Sequence, residues 1–298
     1  MKRAILAGLI IFWAGTKLWA ADHPTSELPD EREREAALHR RTLFGGPIDQ
    51  RSEFGQAWFP ETLRAPEMDL EFSEVRLDWF HAEKIGRRAD EVKIELEKAF
   101  GSLTLEVEVP WVRKDEGNRV DEGVETVEVG LRYPLFQYVS SDAKIDYTAV
   151  GVFEFALPTG NALNKDSEIS PRLYNLLRVG EHFALQASIG WAKLIGPENG
   201  GADAIEYGLS LGWVMPQREL HIPKILTFIP MAELSGEHWL SGDEDGHRET
   251  FGTLGFRVNT ESMGFFQPRI GVGYVFPIDQ GARQTLHWGI LFSMVFEL

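Results

Sequence analysis

The 298-residue chain has 46 acidic against 30 basic residues, a formal charge of -16, and no cysteine. That charge argues against nucleic acid as a partner, which needs clustered Lys and Arg, and the absent thiols exclude disulfide staples, thiolate metal centres and a cysteine-linked lipid anchor. A mean hydropathy of -0.20 suits a soluble protein, yet it suits a membrane-spanning β-barrel equally, because only alternate barrel residues meet lipid.

Lys2 and Arg3 precede an apolar run from Ala4 to Gly15 and the small pair Ala20-Ala21, the layout of a secretory signal peptide over residues 1–21. The run is too short for a spanning helix, and no later segment approaches eighteen consecutive apolar residues. Residues 22–66 read as an N-terminal periplasmic arm. Within it, EREREAALHRR from Glu31 to Arg41 is helix-prone and is broken by Gly45, Gly46 and Pro47. A short solvated helix or a disordered arm is the ordinary outcome for such a stretch, and a plug or partner-binding arm is the functional alternative.

The character changes for residues 67–298, where an all-β, antiparallel up-and-down transmembrane barrel of about 12 strands is expected. Leu103, Leu105, Val107, Val109 and Trp111 alternate with Ser102, Thr104, Glu106, Glu108 and Pro110, so one face is oily and the other charged. Val92, Ile94 and Leu96 alternate in the same way with Glu91, Lys93, Glu95 and Glu97, as do Val127, Val129, Leu131 and Tyr133 with Thr126, Glu128, Gly130 and Arg132. Tyr147–Leu157, Phe183–Trp191, Ile205–Met215, Gly252–Val258, Phe266–Phe276 and Leu286–Leu298 repeat the pattern. Leu70–His81, Ile169–Val179 and Ile225–Leu234 fit it less cleanly. The even total returns the chain end to its starting side, as closure requires.

Tight turns at Phe100-Gly101 and Gly180-Glu181 alternate with long polar segments at Arg113–Gly123, Pro158–Ser167 and Gly236–Glu249. Short periplasmic turns and long external loops produce this alternation, which places Gly101 and Gly180 on the periplasmic side. With that orientation Trp79, Trp111, Trp191, Tyr207 and Trp288 fall near the external rim, and Tyr147, Phe183, Trp213 and Phe296 near the periplasmic one, as interfacial girdles do. The last strand has Trp288, Ile290, Phe292, Met294, Phe296 and Leu298 on one face. It resembles the terminal strand by which outer-membrane barrels engage their assembly machinery.

VETVEVGLRYPLF (Val124–Phe136), AVGVFEFALPTGN (Ala149–Asn161) and FALQASIGW (Phe183–Trp191) together resemble the outer-membrane barrel family annotated for the meta-pathway of phenol degradation. The most specific piece is Leu157-Pro158-Thr159-Gly160, a strand exit and turn. The resemblance covers most of Leu70–Leu298 and not residues 22–66. It implies a transporter-like outer-membrane barrel for uptake of hydrophobic or aromatic compounds, and it supplies no catalytic residue.

If the oily faces meet outer-membrane lipid, the lumen-lining candidates are Glu95, Glu106, Glu108, Glu128, Arg132, Asp146, Glu154, Glu206, Arg257 and Arg269. Carboxylates dominate the first half of the interior. The second half is mostly small, with Gly208, Ser210, Gly212, Gly255, Gly271 and Gly273, and is expected to be roomy. Carboxylates lining a wide lumen make a cation-favouring channel, whereas Glu–Arg pairing across the interior would hold a medium barrel shut.

No zinc-protease motif, phosphate loop or dinucleotide fingerprint occurs. His238 with Ser235 or Ser241, and His287 with Ser293, are the nearest approaches to a hydrolase pair. An enzyme, a cofactor and a metal are therefore not expected, and Asp243, Glu244, Asp245 and His247 read as a solvated acidic loop. The expected function is passage of small, hydrophobic or aromatic molecules through an outer-membrane channel. The alternatives are a closed barrel that serves structure or partner binding, and a soluble β-sandwich with its oily faces packed together.

Overall fold

The computed structural model describes residues 62–65, 74–84, 87–100, 102–117, 119–159, 165–197, 201–264 and 267–297. The signal segment, the Glu31–Arg41 stretch and most of the arm lie outside the described residues.

The strands are β1 (Glu74–Lys84), β2 (Arg87–Phe100), β3 (Leu103–Asp115), β4 (Val120–Val124), β5 (Thr126–Val139), β6 (Ile145–Pro158), β7 (Ser167–Val179), β8 (Phe183–Ile195), β9 (Asp203–Trp213), β10 (Met215–Pro216), β11 (Ile225–Trp239), β12 (Arg248–Thr260), β13 (Gln267–Pro277) and β14 (Trp288–Glu297). Each long strand pairs antiparallel with its sequence neighbour, β9 pairs with β11, and β14 pairs back onto β1 from Glu74↔Glu297 to Glu83↔Trp288. The result is a closed barrel of twelve strands, with β4 continuing the β3 hairpin and β10 lying against β11. Closure leaves no unpaired edge, which is what a sheet needs to satisfy its backbone inside a bilayer. Among the described residues no helix is long and apolar enough to cross a membrane.

The alternation read from the sequence becomes an outside and an inside. Leu77, Trp79, Ile94, Leu131, Phe153, Leu173, Ile189, Trp191, Leu209, Leu211, Trp213, Leu254, Tyr274 and Ile290 are all exposed. A water-soluble sandwich would bury that belt, and an exposed apolar surface running round a barrel is a lipid-facing one. Inside, Glu74, Arg76, Asp78, Glu95, Glu97, Glu106, Arg132 and Arg257 are each under a tenth exposed.

The phase shifts at two places. Between Pro134 and Phe136 the β5–β6 register slips by one residue. Tyr133 thus precedes a bulge, and Leu135 and Phe136 both lie exposed at the surface. Pro134 has no N–H to give the ladder, so a bulge is the tolerated place for it. The second slip, between Ile225 and Thr227, explains why the Ile225 segment alternated poorly.

Two loop expectations are corrected. The Arg113–Gly123 segment is mostly hairpin, because β3 and β4 pair as far as Asp115↔Val120. Short turns do not account for the whole Gly180 end either, since residues 214–224, with the short helix Gln217–Leu220, also lie there. The first strand is described from Glu74 rather than Leu70.

Candidate functional site

The inward faces of β2, β3 and β5 build a charged wall. Thr104 opposes Arg132, Glu106 opposes Gly130, and Glu108 opposes Glu128 across the β3–β5 ladder. Gly130 has no side chain there, so Arg132 can reach back over β3. Its Nη1 donates to Glu97 Oε1 at 2.5 Å and its Nη2 to Glu106 Oε2 at 2.5 Å, with Glu95 at 3.6 Å. Lys93 Nζ lies 2.8 Å from Glu108, 3.4 Å from Glu95 and 3.9 Å from Asp78. On the next wall Arg172 bridges Glu154 at 3.1 Å and Glu206 at 2.7 Å. Paired in this way, charges can stay inside a barrel; one left alone there would be costly.

The opposite wall is not empty space, and this corrects the expectation of a roomy half. Thr62–Ala65, the last described part of the segment assigned to the arm, lies inside the barrel. Leu63 is 1% exposed and packs with Val214, Ile229, Met231, Leu291 and Phe80. A Cβ on Gly255 would come within 2.6 Å of Leu63 Cδ1, and one on Gly271 within 2.8 Å of Cδ2. The small residues make room for this side chain.

The backbone of the segment is held by charge. Glu233 accepts from Leu63 N at 2.7 Å, Arg64 N at 2.7 Å and Ala65 N at 3.0 Å. Consecutive N–H groups converging on one carboxylate form an anion nest. Arg257, fully buried, donates to the Thr62 carbonyl, and Arg76 Nη2 reaches the carbonyls of Thr62 and Leu63 at 3.4 Å. The Arg64 guanidinium sits over Phe80 at 4.6 Å and over Phe251 at 5.1 Å from the ring centroids.

Two cavities flank this segment, and Arg64 lines both. The inner one, ≈ 340 Å³, lies between Leu63–Ala65 and the charged wall, with seven carboxylates against five cations in its lining. The other, ≈ 430 Å³, has Glu206, Glu237 and Glu249 against Arg64 and Lys84, with Phe80, Phe251 and Leu286 as apolar surface. Glu237 opposes both Glu206 and Glu249 in the ladders. The short helix Gln280–Thr285, capped by Asp279 accepting from Ala282 N, contributes Thr285 to the rim of this cavity.

Of the residues singled out in the sequence, Glu95, Glu106, Glu108 and Arg132 come together in one cluster, and Glu128 and Glu154 line the same inner cavity. Glu206 lines the other cavity, and Arg257 holds the internal segment. Asp146 and Arg269 are buried but line neither cavity. Reasoning from sequence missed Leu63, Arg64, Phe80, Tyr174 and Phe251. The flanking prolines, Pro60 and Pro66, were the one signal that residues 62–65 are not helical. His238 and Ser241 do not pair: His238 Nδ1 contacts the His247 carbonyl at 3.3 Å, and Ser241 Oγ lies 3.2 Å from Asp203 Oδ2 and 3.3 Å from the Gly201 carbonyl.

No protein-family model matches the chain, and no curated protein matches it in sequence. Among solved structures, an outer-membrane channel from Pseudomonas putida F1 superposes with a TM-score of 0.54 at 12% identity, over 80% of this chain and 100% of that one. The NanC porin (TM-score 0.43, 11% identity, 76% of this chain and 98% of that one) and the KdgM porin (0.40, 12%, 75% and 98%) are more distant. The fold is that of Gram-negative outer-membrane barrels.

Proposed function

We propose that the chain is an outer-membrane channel for small molecules whose lumen is closed by its own residues 62–65. The observation that carries this reading is the pair of charged cavities, one on each side of a four-residue segment that is held by hydrogen bonds and one leucine. Removing that segment would merge the cavities. Glu95, Glu106, Glu108, Glu128, Arg132, Glu154 and Glu206 then line the route, with Asp146, Arg257 and Arg269 towards its Gly180 end. Carboxylates in excess favour cations. The apolar surface of Phe80, Phe251 and Leu286 supports passage of solutes with a hydrophobic or aromatic part, in keeping with the family resemblance. In this reading residues 1–21 direct export, the rest of the arm lies on the periplasmic side, and β14 engages the assembly machinery.

A closed structural barrel is the second reading, favoured by the Arg132 and Arg172 ion pairs that tie β2, β3, β5, β6, β7 and β9 across the interior. Single-channel conductance in planar bilayers separates the two. The detergent-refolded chain from residue 22 is compared with one that also lacks residues 22–66. The channel reading expects stable, cation-selective conductance from the shorter chain and rare openings from the longer. If neither form conducts, the barrel is closed and structural.

A further inference from the structure

Arg64 is placed as a ligand would be. Its guanidinium lies over two aromatic rings, 4.6 Å from the Phe80 centroid and 5.1 Å from the Phe251 centroid. Arg64 shares the inner cavity with the carboxylate of Glu91 and the other with that of Glu249. A planar cation against aromatic faces is a general way of recognising guanidinium and ammonium groups. The rings and carboxylates belong to barrel strands, whereas the cation arrives on the internal segment. The cage therefore remains in place when the segment leaves.

We propose that the Phe80–Phe251 cage is a binding site for organic cations bearing a guanidinium or ammonium group, and that Arg64 occupies it as an internal stand-in for the solute. The inference rests on the channel reading and deepens it by naming a solute class. Entry of a cation and departure of the segment become one exchange, in which the solute takes over the contacts of Arg64 and the charge of the cage stays balanced. A neutral solute of the same size cannot drive that exchange, because it gains no cation–π attraction from the two rings.

The test is calorimetric titration of methylguanidinium chloride into the refolded full chain and its R64A variant, with sodium chloride as the control for ionic strength. R64A is expected to bind methylguanidinium at least tenfold more tightly than the unmodified chain does, and R64A/F251A to lose that gain. In the unmodified chain, methylguanidinium at high concentration competes with Arg64 and speeds hydrogen exchange of residues 62–65, where sodium does not. This second measurement decides the matter if R64A fails to refold. Binding to R64A no tighter than to the unmodified chain, or exchange at residues 62–65 indifferent to methylguanidinium, overturns the cation site. Neither outcome depends on conductance, so a barrel that passes no solute at all would defeat the channel reading and leave the cage standing.

Discussion

Replacing Glu233 with alanine tests how the internal segment is held. The carboxylate accepts three N–H bonds at 2.7, 2.7 and 3.0 Å, and Ser210 Oγ donates to it as well at 3.2 Å. A hydrogen bond to a charged group contributes about 1.5–3 kcal/mol. Water in the adjoining cavities can satisfy the freed N–H groups, so the low end applies, and the three bonds together sum to ~4.5 kcal/mol. At 1.4 kcal/mol per tenfold, that shifts the closed-to-open ratio of the segment by roughly a thousandfold. Leu63 keeps its seat and retains about 1.5–3 kcal/mol of apolar burial, so the segment loosens without leaving every molecule. Hydrogen exchange of residues 62–65 reads the change directly, and open time in planar bilayers reads its consequence. E233Q, which keeps an acceptor oxygen but no charge, is expected to fall between the two. If E233A leaves both exchange and open time at unmodified values while the barrel remains folded, the nest does not hold the segment and the reasoning fails.

L63A deletes the side chain seated against Gly255 and Gly271, with an expected loss of about 2–3 kcal/mol of segment binding, seen as faster exchange at residues 62–65 with the urea midpoint of the barrel unchanged. R132M leaves Glu97 and Glu106 without their shared cation, and removing one partner of a buried ion cluster costs about 3–5 kcal/mol. Its urea midpoint in lipid vesicles should fall accordingly, and an unchanged midpoint would mean the cluster adds nothing. His247 lies in the loop before β12, and the Glu249 carboxylate 3.0 Å from its Nε2 pulls the imidazole pKa up from its ordinary value. The stabilising contact is complete below the unfolded histidine pKa of about 6.5 and fades as pH rises through the higher folded value. NMR titration should place His247 above a free histidine and E249Q should bring it back down; a His247 that titrates like a free histidine in the unmodified chain refutes this.

Where the inner face is charged, the barrel could be read directly from the chain. Val92, Ile94 and Leu96 against Lys93, Glu95 and Glu97 assign their own inside and outside, because a strand has period two and charge cannot face lipid. The same reasoning separated Glu106, Glu108, Glu128 and Arg132 from their oily neighbours. It weakened on β1, β7 and β11, whose inward faces include Phe80, Leu176, Ile229 and Met231. On those strands both faces are partly apolar and alternation loses its contrast. Phe80, Ile229 and Met231 pack around Leu63, so the place where the pattern failed is the seat of the internal segment. No local feature of residues 62–65 says that they enter the lumen. That contact joins positions about 170 and 195 residues apart, and it exists only once closure of β14 onto β1 has brought Glu233, Arg257 and the glycines of β12 and β13 around a common space.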